Sequence, residues 1–308
     1  MPLPFILAGV AVAAAGIGAK KAYDGYQDSS EADDIVENAK SLLNEEESFC
    51  KKQQEITNNA INKLKELEVS ISADFSEFEQ VSKDLLKQLE QNQGAKDLQV
   101  NIPTRNKDRG ISAESLQLLT KSLVGSGVAA NIGMGIALMF SMTDTLKKGL
   151  TYASYASQKL EDAKEYRNQV QKAVDKMVLS RRHLKETEDY VNKVYKEVNR
   201  VYQVFKQYSQ DLKAMDSLIR NKVDVYAISS AFIPIIENGY AIAAILTNII
   251  NTPLFKVKKR LTGEVVKNSE GMIEFEKDND GMQIINKEEI DQQIQKSQKD
   301  TISYQRSK

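Results

Sequence analysis

An all-α chain is predicted here: an elongated antiparallel coiled-coil bundle with apolar Gly-rich helical segments and a small C-terminal β-ribbon. Three observations predict it. The composition is rich in Lys, Glu, Gln, Ala and Leu, with only 5 Pro and no Trp in 308 residues, as long helices require. Two long charged stretches carry apolar residues at steps of three and four, the spacing of a helical stripe. Three apolar blocks, residues 2–19, 123–142 and 225–255, alternate with those stretches.

Residues 1–29 open on MPLPFILAGVAVAAAGIGAKK. The run lacks the positive start of a secretory signal, and Lys20 and Lys21 follow it instead. That order fits a retained segment with its cationic flank on the cytoplasmic side, so the expected place is cytoplasmic and membrane-associated, with secretion by a non-standard route as the alternative. Its small residues Gly9, Ala13, Gly16 and Gly18 suit close helix approach in lipid.

Residues 30–92 read as a long helix, with Ile35, Ala39, Leu42, Phe49, Ile56, Ala60, Leu64, Leu67, Ile71, Phe75, Phe78, Val81, Leu85 and Leu89 as its stripe. Residues 93–112 hold Gly94, Pro103 and Gly110 and read as a loop. A new helix then begins at Ser112 and runs over 113–150. Within it, LVGSGVAANIGMGIALMFSM (123–142) has no ionisable side chain. As a helix it would be about 30 Å long, the thickness of a hydrocarbon core. Its glycines would each cost about 1 kcal/mol against Ala in water, a cost that close packing of apolar helices, or lipid, offsets.

Residues 151–224 read as a second long coiled-coil helix. No Pro or Gly interrupts 150–233, so a helix of about 70 residues or more, on the order of 100 Å, is expected. Its stripe runs through Ala163, Val170, Val174, Met177, Leu184, Val191, Val194, Val198, Val201, Phe205, Tyr208 and Leu212. A period near 3.5 implies a left-handed supercoil. Residues 225–255 form an apolar stretch broken at Pro234 and at Glu237-Asn238-Gly239. Two arms of about a dozen residues, each too short to span, predict a hairpin with those four residues at its tip. Pairing of Glu237 with a lysine, or its lining of an aqueous path, are the alternatives. In the tail, residues 256–308, short β-favouring runs are separated by Ser-Glu-Gly and Asp-Asn-Asp-Gly, which are hairpin turns. A frayed polar end is expected from about residue 287.

Each block is followed by cations: Lys20 and Lys21; Lys147 and Lys148; Lys256, Lys258, Lys259 and Arg260. Such clusters suit anionic head groups and helix C-termini alike. The net charge of −1 gives no phosphate-tracking surface, so no nucleic-acid partner is expected. One cysteine, Cys50, excludes an internal disulfide. One histidine, His183, excludes sites needing two imidazoles. No Walker motif occurs, and Gly125-Ser-Gly127-Val-Ala-Ala130 matches a dinucleotide fingerprint without the strand that would make it one. The expectation is therefore no catalytic, cofactor-binding or metal site, and no enzymatic activity.

The order long helix, Gly-rich apolar segment, long helix over residues 30–222 resembles the helical pore-forming toxins of the cytolysin A type and the bacterial tripartite enterotoxin components. That resemblance implies an apolar head, here residues 123–142, held against the body in water and released into a membrane. The expected function is membrane insertion or pore formation through Gly125, Gly127, Gly133, Gly135, Met139 and Phe140. The partners would be a lipid bilayer and either further copies of the chain or a partner protein. The alternative is a cytosolic coiled-coil scaffold or partner subunit whose apolar blocks form a protein interface.

Overall fold

The fold is taken from a computed structural model, which describes residues 29–91, 160–267 and 273–305. Of these, 79% are helical, in four helices, with no named strand among the described residues. Helix α1 is Ser29–Gln91, α2 is Leu160–Arg220, α3 is Ser229–Ile250 and α4 is Lys287–Ile302. The described residues divide into two compact units. Unit one holds 29–59, 160–188 and 277–282; unit two holds 60–91, 189–267, 273–276 and 283–305.

The two long helices run parallel, not antiparallel. In unit one the Cys50 thiol donates to the Met177 carbonyl at 3.2 Å, and the Thr57 hydroxyl to the Leu184 carbonyl at 3.2 Å, both pairs 127 residues apart. Glu46 with Arg181, and Gln53 with Glu188, are both 135 apart. Seven residues forward on α1 are therefore seven forward on α2. Unit two repeats the sense, with Asp74 and Tyr202 separated by 128. Hydrophobic periodicity carries no direction, so the expected antiparallel sense had nothing in the stripe itself to support it.

The buried seam of α2 keeps a spacing of seven through Ala163, Val170, Met177, Leu184, Val191, Val198, Phe205 and Leu212. On α1 the matching line is Leu43, Cys50, Thr57, Leu64, Ile71, Phe78 and Leu85. In unit two a second line, Ile61, Glu68, Phe75, Ser82 and Leu89, is buried too.

No Gly or Pro is needed to end α2. The chain turns at Lys222, which takes φ 69, while the Lys222 N–H bonds the Ile219 carbonyl and the Val223 N–H the Leu218 carbonyl. This is the Schellman pattern, with lysine where glycine is usual. Helix α2 accordingly closes at Arg220, before the end of the Pro- and Gly-free run.

The tail departs from the sequence expectation twice. Between Leu254 and Asn286 lie isolated antiparallel bridges, organised as closed rings. The N–H of Lys256 bonds the Ile284 carbonyl, that of Ile284 the Glu276 carbonyl, and that of Glu276 the Lys256 carbonyl, at 2.8–2.9 Å. Lys258, Glu274 and Val266 form a second such ring. Three segments bonding around a ring give isolated antiparallel bridges and no named strand among the described residues. The predicted turn at Asp278–Gly281 forms, with Gly281 at φ 81 and the Asp278 carboxylate accepting the N–H groups of Asp280 and Met282. The expected frayed end is instead helix α4, whose Ile290, Ile294, Ser297 and Thr301 make a sparse but buried stripe. It lies along α2 through Asp291 to Lys193 at 2.6 Å and Tyr304 to Tyr208 at 2.9 Å.

Candidate functional site: the apolar helix and its surroundings

Helix α3 forms from a run of apolar residues with alanines, which pack without polar cost. Pro234, sixth in the helix, lacks the N–H that would reach the Ser230 carbonyl. It survives there because it lies on the exposed face with Ala231 and Asn248. The opposite face is buried through Phe232, Ile236, Ile242, Leu246 and Ile249.

The hairpin expectation is thereby corrected. Pro234, Glu237, Asn238 and Gly239 all lie within one continuous helix and form no tip. Gly239 has a packing role: a Cβ there would lie 2.2 Å from the Phe78 ring. Glycine lets the ring approach, so a residue read as a breaker is the point of closest approach. Around it Phe75, Phe78, Phe205 and Tyr240 form an aromatic cluster, with ring centroids 5.3–6.2 Å apart and mostly edge-on or tilted, geometries that aromatic quadrupoles favour.

Among the described residues α3 is the one helix long and apolar enough to cross a membrane, and half of its span is buried in the protein. Its basic flank is partly neutralised. Lys258 pairs with Glu274 at 3.1 Å and Arg260 with Glu264 at 3.7 Å, while Lys259 is exposed and Lys256 half-buried. Gly125, Gly127, Gly133, Gly135, Met139 and Phe140, with Lys20, Lys21, Lys147 and Lys148, lie outside the described residues.

The most unusual group was not singled out in sequence. Glu68 is 1% exposed, and neither carboxylate oxygen has a hydrogen-bond partner. Burial pushes its carboxyl up to about 7, opposed by Lys65 one turn earlier. This group exchanges its proton near neutrality. The available signal was positional: Glu68 sits seven from Ile61 and seven from Phe75, on an apolar line. Glu197 shows the contrasting environment. Burial would raise its carboxyl, but bonds from Arg200, Ser297 and Gln298 hold it below the usual range.

Comparison with known proteins adds no identity. No protein-family model, curated protein or solved structure matches this chain.

The lone thiol is poorly suited to reactivity. Burial, and next the charge of Glu46, raise Cys50 to about 11, so the nucleophilic thiolate is scarce at neutral pH. Among the described residues no group of three or more acidic, His or Cys side chains has metal-binding geometry.

Proposed function

We propose that this is a membrane-active helical protein, in which two parallel coiled-coil helices hold an apolar segment in water and that segment enters a bilayer. The supporting observation is the segment 123–142, twenty residues with no ionisable side chain between two heavily charged helices. Burial of apolar area at about 25 cal/mol per Å² drives such entry without covalent chemistry. On this reading α3 belongs to the frame and stays with its aromatic cluster, while Gly125, Gly127, Gly133, Gly135, Met139 and Phe140 meet lipid, with Lys147 and Lys148 at the head groups. The ring-bonded segment 254–286 serves as a compact β-ribbon-like brace on the same frame.

Dye release from anionic vesicles, with flotation of bound protein, tests the proposal. The wild-type chain is expected to float and to release dye, and Gly133→Asp with Ala137→Asp to abolish both. Intact vesicles with all protein unbound would overturn it.

The second reading is a coiled-coil scaffold whose apolar surfaces bind another protein. It is favoured by the burial of α3, where Phe232, Ile236 and Ile242 are fully enclosed. It expects a constant oligomeric state and indifference to lipid.

A further inference from the structure

The ring-bonded segment of unit two sorts its side chains by charge. Residues paired in an antiparallel bridge present their side chains to one face, and their neighbours in sequence to the other. The bridges Val257 with Phe275, Lys259 with Val265, and Lys267 with Ile273 therefore gather these six on a single side. The intervening residues supply the opposite side, where Lys258 pairs with Glu274 and Arg260 with Glu264. That side is charge-balanced. The first side holds only apolar residues and lysines. It begins inside the protein at the buried, bridged pair Phe255 and Ile285, with the Phe275 ring centroid 5.9 Å from that of Phe255. It ends in the open: Val265 and Ile273 are 41% and 42% exposed, and Leu261, at the turn, is fully exposed. Lys259 and Lys267 are exposed and make no ion pair among the described residues.

We propose that this face, with Leu261 at its tip, is a docking surface for the head-group layer of an anionic bilayer. The proposal deepens the membrane reading and rests on it for the choice of partner, while its own observations are separate. Charge comes first. Exposed apolar groups whose only charged neighbours on the face are lysines match a surface that is anionic outside and apolar beneath: Leu261 sinks in, and Lys259 and Lys267 stay with the phosphates.

The backbone agrees. Around the tip the N–H groups of Lys258, Arg260, Gly263, Val266 and Glu274 all donate to carbonyls of the same segment, so they enter a medium poor in water already satisfied. The same bonds leave those donors closed to an added strand of a protein partner. Gly263, at φ 85, makes the turn tight enough to present Leu261 as a point. Scale agrees as well: one apolar tip with two lysines gives reversible attachment, and stable anchoring takes a second signal. Flotation therefore still depends on residues 123–142, and docking of the tip is read at equilibrium.

An environment-sensitive fluorophore on Thr262→Cys, in full-length protein carrying Cys50→Ala and checked for unchanged helical content, tests this. Vesicles containing phosphatidylserine should shift its emission to the blue with saturation, and pure phosphatidylcholine vesicles should not over the same range. Leu261→Asp should raise the lipid concentration at half-saturation by roughly tenfold or more, and Lys259→Ala and Lys267→Ala by about fivefold each. Lys258→Gln with Glu274→Gln, which leaves the net charge of the paired side unchanged, should move it by less than about twofold. No blue shift, or equal losses from the paired-side variant and from Lys259→Ala, would overturn the proposal. So would a shift that grows with protein concentration in the absence of lipid, which would assign the face to a second copy. Gly133→Asp with Ala137→Asp should leave the tip response in place, and its loss would show that the turn merely follows an inserted segment. Dye release from the same samples separates the two readings: a docked tip on intact vesicles sinks insertion alone, and release without a tip response sinks docking alone.

Discussion

The same two helices run in the same direction through both units, yet the units are held by different physics. In unit one the seam is a single pair of faces with polar groups set into it. Every one of those groups has a partner: Glu46 with Arg181, Cys50 with Met177, Gln53 with Glu188, Thr57 with Leu184. Such pairs add little net energy, but shifting the register would leave them unpartnered in a dry place. In unit two α3 and α4 widen the buried face, and an aromatic cluster fills it. Polar pairs specify alignment in one region, and volume supplies cohesion in the other.

The largest expected effect breaks unit two. Phe78 lies on the same heptad line as Cys50, is 1% exposed, and fills the space that Gly239 leaves. Phe78→Ala should lower unfolding free energy by about 3–5 kcal/mol. Cys50→Ala, which removes one small buried atom group and one weak bond, should cost roughly 1 kcal/mol. Urea denaturation of both variants checks the contrast, and equal losses would mean that the extra helices add no cohesion.

Glu68 comes next, as a carboxylate in unit two that is buried with no hydrogen-bond partner on either oxygen. Its carboxyl is raised from 4.5 to about 7 by burial. A raised acid leaves stability whole below pH 4.5 and erodes it as pH climbs through 7, where the folded state must carry an unpartnered charge. The expected loss is about 3 kcal/mol across that window. Glu68→Gln should flatten this part of the pH profile, and Glu68→Leu should make the protein more stable than wild type at pH 8. An unchanged slope in Glu68→Gln would place the titration elsewhere.

These residues also show what the sequence made legible. The α2 seam could be read because its heptad positions are nearly all large and apolar, from Val170 to Leu212. On α1 the stripe misled in unit one: Leu42, Phe49 and Ile56 are apolar and in phase with one another, but the seam uses Leu43, Cys50 and Thr57, and periodicity cannot rank two adjoining lines. Polar residues on the seam, Glu46 and Glu68 above all, depend for their meaning on a partner about 130 positions away or on its absence. Direction was equally hidden, since a stripe reads the same from either end. Pro234 and Gly239 looked like breakers because their local cost is visible in sequence, whereas the Phe78 ring that gives Gly239 its role lies on another helix. Helix α4 was missed because two isoleucines, a serine and a threonine make a weak stripe in a polar run.

A smaller effect sharpens the account of unit one. Arg181 bonds Glu46 at 2.6 Å, and Glu46 is buried while Arg181 is partly exposed. Arg181→Ala should cost about 1–3 kcal/mol, chiefly by orphaning the carboxylate. Adding Glu46→Gln should restore much of the loss, because the amide needs less from its surroundings. A thermodynamic cycle over the four proteins measures the coupling; a double variant no better than the single would show that Arg181 acts mainly by covering Phe49.

The smallest effect lies in unit two, at the end of α2, and has the opposite sign. Lys222 holds φ 69, where an L side chain crowds the following carbonyl at about 1 kcal/mol or more. Its N–H and that of Val223 close the Schellman bonds to Ile219 and Leu218, so the conformation is fixed by backbone pairing and not by the lysine head group. Lys222→Gly should therefore keep every bond and relieve the crowding. Part of the gain is offset by the greater freedom of glycine in the unfolded chain, leaving a net stabilisation of roughly 0.5 kcal/mol. Lys222→Ala retains the Cβ and should give none of it, so thermal melts of the two variants separate backbone strain from the loss of a surface charge.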